Sequence, residues 1–113
     1  MTRKEFEALV RKALRSLPKV FKDKLSNVGI VIEGGRGASR DLLGLYEGVP
    51  LADRSHSYNM AMPDKITLFK RNLEAEARSN GTLLVEEIRL TIEHEIAHHF
   101  GITDERLRRE KIY

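Results

Sequence analysis

Phe6, Leu9, Val10, Ala13, Leu14 and Leu17 recur at intervals of three and four residues, the spacing that gathers side chains on one face of an α-helix. Thr2-Arg-Lys-Glu5 precedes them in capping-box form, so a helix is predicted to start there. Pro18 ends it, because proline has no amide hydrogen and clashes with the preceding turn. Val20, Phe21 and Leu25 predict a short second helical piece before Asn27.

The period then shortens. Val28-Gly-Ile-Val-Ile32 is β-branched and is followed at once by Gly34-Gly-Arg-Gly37, which predicts a buried strand running into a flexible loop. Leu42 to Glu47 predicts a second strand, closed by Gly48 and Pro50, and Lys65 to Phe69 a third. Residues 51–64 read as a long polar loop between them. Asn72 to Ser79 predicts a helix stopped by Asn80-Gly81. Thr82 stands as N-cap for a last long helix from Leu83 to Phe100, with Glu86 and Glu87 near its positive end. Projected at about 100° per residue, Glu86, Arg89 and Glu93 share one narrow sector of that helix. Most of its circumference must therefore face protein, which makes it central.

Length changes this picture little: 113 residues is one domain, 1–113, with a single modest core. Hydrophobic residues make up 41% and charged residues 33%, the balance of a folded, water-soluble protein. The formal charge is +3, but acidic and basic residues are interleaved, so the surface reads as solvated mixed charge rather than a nucleic-acid face. Only Arg106-Leu-Arg-Arg-Glu-Lys111 is a basic run. The start is charged where a signal peptide needs an apolar core, and no stretch approaches the roughly 20 apolar residues of a membrane span. A cytoplasmic location is expected. Cysteine is absent, so any transition metal has to be held by imidazole and carboxylate.

Three of the four histidines fall within the string His94-Glu-Ile-Ala-His98-His99-Phe-Gly101-Ile-Thr-Asp104, which spells HExxHxxGxxD. Residues four apart share a helix face, so His94 and His98 can aim two imidazoles at one ion. Glu95 is turned about 100° from His94, a position suited to a general base that takes a proton from water activated by the metal, and unsuited to a ligand. A straight helix would carry Asp104 roughly 15 Å beyond His94. Gly101 permits the chain to leave the helix and turn back, since glycine readily adopts the left-handed conformation that ends helices. Asp104 is then either the third ligand or the N-cap of a following helix over Glu105 to Lys111. His99 points away from His98 and reads as a packed histidine. His56, in the polar loop, reads as a surface residue. Tyr46, Arg54 and Tyr58 are the available donors for a developing oxyanion.

On these residues the chain resembles a known family, the short prokaryotic zincin-like metallopeptidases, described as minimal metzincin-like domains and recognised by HExxHxxGxxD. Leu42-Leu-Gly-Leu-Tyr-Glu-Gly-Val-Pro50 and Met62-Pro-Asp-Lys-Ile-Thr-Leu-Phe-Lys70 are similar to other recurrent segments of that family. The resemblance implies an α+β, minimal zincin-like fold: a small mixed sheet packed on a central active-site helix, with N- and C-terminal helices. It implies zinc on His94, His98 and Asp104, Glu95 as catalytic base, and a peptide or protein substrate paired with an edge strand, here Leu42 to Glu47. Neither nucleic acid nor a membrane is an expected partner. The larger metzincins usually carry a third histidine and a methionine-containing turn, whereas here Asp104 stands at the third position and Met60 and Met62 lie upstream.

Two other functions fit a three-ligand metal site on a short basic chain. A metal-dependent endoribonuclease would typically show three histidines and no glutamate directly after the first. A non-catalytic, zinc-stabilised binding module would need no adjacent base. The Glu95 carboxylate favours zinc-dependent peptide hydrolysis over both.

Overall fold

The capping box closes as predicted. The Thr2 hydroxyl accepts the Glu5 amide at 3.1 Å and the Glu5 carboxylate accepts the Thr2 amide at 2.9 Å, two of the donors that a helix start leaves unpaired. Hydrogen bonding of the Glu5 carboxyl to Thr2, to its backbone amide first and its side chain second, holds that carboxyl below its ordinary value. In the computed structural model, residues 1–34, 41–48 and 64–101 are described. They form α1 (Arg3–Ser16), α2 (Lys19–Lys24), β1 (Val28–Glu33), β2 (Gly44–Glu47), β3 (Asp64–Phe69), α3 (Lys70–Asn80) and α4 (Leu84–Phe100). The fold is α+β, with helices against a small mixed sheet. The predicted helix over Glu105 to Lys111 and the loop at 51–63 lie outside the described residues.

The strand order is β1-β3-β2, with β1 parallel and β2 antiparallel to β3. Ile66, Thr67 and Leu68 of β3 are buried in succession, as suits the middle strand, which has a neighbour on each edge. β1 departs from expectation. It is a border strand among the described residues, half-buried along most of its length, with Val31 at 41% exposed. A β-branched run specifies a strand but not how many of its faces and edges are covered.

Helix α4 is the centre of the molecule. Ile88, Ile92 and Ile96 are fully buried and cluster with Phe6, Val10 and Ala13 of α1 and with Leu17, Phe21, Ile66, Leu68 and Leu73. No helix among the described residues is long and apolar enough to cross a membrane. Thr82 does not cap α4. Leu83 occupies the N-cap without a side-chain bond, and Thr82 instead donates its hydroxyl to Glu87 at 2.7 Å, joined by Asn80 at 3.1 Å. Glu87 is only 7% exposed. A carboxylate taken from water costs more when unpaired than an amide left to solvent, so the hydroxyl goes to the carboxylate.

β2 approaches α4 because Gly44 has no side chain. A Cβ there would lie 2.7 Å from Thr91 Cγ2 and 3.3 Å from the Thr67 carbonyl oxygen. Gly44→Ala is expected to cost about 1–3 kcal/mol through overpacking, read as a lower denaturant midpoint with unchanged slope; a midpoint equal to wild type would show that the two elements separate freely.

The solvent face of α4 carries Glu86, Arg89 and Glu93 as anticipated. Arg89 donates to Glu86 at 2.7 Å and also to Glu93. The guanidinium, by hydrogen bond first and charge second, holds the Glu86 carboxyl below its ordinary 4.5. Folding lowers that value, so the stabilisation is complete above 4.5 and is lost as the pH falls through the folded value. Glu86 is about half exposed, which limits the pair to ~1 kcal/mol or less. Arg89→Met should therefore lower stability slightly near about pH 7, and the difference from wild type should shrink toward about pH 2.5. A difference that grew on acidification would reverse the assignment.

Candidate active site

The burial of Ile88, Ile92 and Ile96 turns a third sector of α4, bearing Leu90, Thr91, His94 and His98, toward a cleft of about 380 Å³. Leu42, Leu43 and Gly44, entering β2, form the facing wall. That wall is fixed from behind: Asn72 of α3 donates to the Leu42 carbonyl at 2.8 Å, and the Phe69 amide donates to the Leu43 carbonyl at 3.0 Å. Leu90 is 47% exposed, an apolar surface one turn before His94. Asp41 and Glu87 also border the cleft.

His94 and His98 are one turn apart with ring centroids separated by 5.9 Å and planes within 8° of parallel. Both are exposed and border the cleft. Two parallel imidazoles on one face, in a chain without a thiol, are a donor set suited to zinc. Among the described residues, no group of three or more ligand-type side chains gathers around one point, so these two residues need a third from elsewhere. Gly101 ends α4 with φ 65° and its amide on the Ala97 carbonyl. The left-handed turn expected at that position is present. Asp104 lies outside the described residues, as do His56, Arg54 and Tyr58.

Glu95 lines the same cleft as the two histidines and reaches β2, where its Oε1 accepts the Tyr46 amide at 3.0 Å. The Tyr46 ring stacks on His99 at 3.9 Å and 18°, and its hydroxyl donates to Asp64 Oδ2 of β3 at 2.8 Å. Phe100 stands edge-on to both rings, with the Lys24 ammonium 5.0 Å from the Phe100 centroid. The His99 ring thus packs against Tyr46 and Phe100, while the residue as a whole stays exposed. The phenol of Tyr46, one of the three oxyanion donors considered, is engaged by Asp64. Gly48 belongs to the same arrangement, since a Cβ there would lie 3.0 Å from His99 Cε1.

Sequence reasoning did not find Asp64, nor the backbone amide of Tyr46, as parts of this site. A backbone donor leaves no trace in residue identity. Asp64 directly follows Pro63 and reads as ordinary turn chemistry.

A model of a family described as zincin-like metallopeptidases matches residues 23–112, which includes β1, β2, β3, α3 and α4. No curated protein matches the chain.

Proposed function

Because the chain belongs to the zincin-like metallopeptidase family, we propose that it hydrolyses peptide bonds, with zinc held by His94, His98 and Asp104 and with Glu95 as general base. The observation that carries this reading is the division of labour on one helix turn. Two parallel imidazoles open onto the cleft, while the intervening Glu95 carboxylate also borders it, anchored through a single oxygen.

Bound zinc supplies Lewis acidity, polarising the scissile carbonyl and acidifying water toward a pKa of about 7. The chain does the rest. Glu95 takes the proton of the attacking water and returns it to the leaving amine, so one carboxylate serves as base and then as acid. An extended substrate lies along the outer edge of β2, which borders the cleft at Gly44 together with the Leu42-Leu43 segment leading into it and pairs only with β3 among the described residues. Leu42, Leu43 and Leu90 offer an apolar wall to one substrate side chain.

The ligand assignment is tested by zinc content after purification without chelator. One zinc per chain is expected, lost in His94→Ala and in His98→Ala and retained in His99→Ala, and EDTA should lower the melting temperature by removing a ligand of the native state. Loss of zinc from His99→Ala as complete as from the other two would break the assignment.

The catalytic role is tested by Glu95→Gln at equal zinc occupancy, using peptide and RNA libraries. Peptide hydrolysis is expected to fall by on the order of 10²–10⁴ while the fold and zinc persist. Equal activity would remove Glu95 from the mechanism, and Glu95-dependent cleavage of RNA alone would make the protein a ribonuclease.

A further inference from the structure

A glutamate on a helix surface has three side-chain torsions, whereas a general base has to be held within about 0.5 Å of its productive position. Something has to remove that freedom. The register of the sheet supplies it. The Leu43 carbonyl is bonded to Phe69 of β3, and hydrogen-bonding direction alternates along an antiparallel strand. Residues 43, 45 and 47 therefore turn their backbone groups toward β3, and Tyr46 turns its amide away, over the edge of the sheet. On an open edge such an amide would be taken by water; here it meets Glu95 Oε1 at 3.0 Å.

The amide is itself held from three directions. The Tyr46 ring lies on His99, four residues after Glu95, so one residue of β2 touches two successive turns of α4. Its hydroxyl ties to Asp64 on β3. Phe100 stands edge-on to both rings, and Gly48 leaves His99 the room to occupy its place.

We propose that Tyr46 is a positioning residue for Glu95: its backbone amide fixes Oε1, its stacked and hydrogen-bonded side chain fixes the amide, and the second carboxylate oxygen is thereby reserved for proton transfer. The proposal deepens the assignment of Glu95 as base and rests on it for its kinetic consequence, while the hydrogen bond is measurable without any activity. It also sets the register of a bound peptide. With the Tyr46 amide engaged by Glu95 and the Leu42 carbonyl engaged by Asn72, the outward backbone groups of Gly44, where β2 borders the cleft, are the ones left for a substrate strand.

The first measurement is amide hydrogen exchange by NMR on metal-free and zinc-loaded protein. The Tyr46 amide is expected to be protected in wild type and to exchange about tenfold faster or more in Glu95→Ala, the factor a hydrogen bond to a charged group is worth. The Thr67 amide in central β3 should be unchanged. Equal exchange of the Tyr46 amide in the two proteins would overturn the proposal. The second measurement is steady-state peptide hydrolysis at equal zinc occupancy. Tyr46→Ala should lower kcat by on the order of 10–100-fold, the scale of a misplaced group, with little change in KM. Tyr46→Phe, which keeps the amide and the stack and loses only the hydroxyl's bond to the Asp64 carboxylate, should lose less activity than Tyr46→Ala and stay within about tenfold of wild type. An effect of Tyr46→Ala on KM alone would make Tyr46 a substrate contact instead. Full activity in Glu95→Gln would sink the base assignment and leave the exchange result standing. An inactive Glu95→Gln beside a fully active Tyr46→Ala would sink the positioning role alone.

Discussion

The burial of Ile88, Ile92 and Ile96 against α1 and the sheet fixes the rotation of α4 about its own axis, and the chemistry of the cleft follows from that rotation. Each fully buried isoleucine contributes about 1.5–3 kcal/mol of transfer free energy, so a turn of the helix that exposed them would cost more than any polar contact on its other faces could return. With those three side chains inward, the remaining circumference is divided without further choice. Glu86, Arg89 and Glu93 face water as a charge ladder; Leu90, His94 and His98 face the cleft. Glu95 and His99 fall between core and cleft, where they meet β2.

That boundary position explains why two neighbours in sequence behave so differently. His98 and His99 are the same residue type on the same helix turn. His98 is an exposed ring parallel to His94. His99, turned by one residue, stacks on Tyr46 and meets Phe100 edge-on. The same logic separates Glu87 from Glu86. One is buried and receives the Thr82 and Asn80 donors, the other is exposed and paired with Arg89. Residue type therefore says little on this helix until the azimuth is known.

Much of this was legible in the sequence because it is written in periodicity and in glycine. The helices, the three strands, the capping box at Thr2, the turn at Gly101 and the shared face of His94 and His98 all follow from spacing. The features that escaped are those that depend on what lies across the gap. β1 reads as buried because its residues are β-branched, yet its outer side is a border among the described residues. Thr82 reads as a cap because it precedes a helix, yet a buried carboxylate draws its hydroxyl away. The grip on Glu95 comes from a peptide amide, which every residue but proline possesses, so no composition or motif could have marked Tyr46 for it.

The packing of α1 against α4 has a consequence for how the chain is made. The apolar stripe of Phe6, Val10 and Ala13 is synthesised well before Ile88, Ile92 and Ile96, the surfaces it is matched to. Parallel pairing of β1 with β3 imposes the same delay, because its partner follows a long excursion of chain and non-local pairings form slowly. Between the synthesis of α1 and that of α4 the apolar stripe of α1 therefore lacks the surface it packs on, an interval in which exposed hydrophobic side chains invite association. The histidine pair and its glutamate acquire their neighbours only when that wait is over.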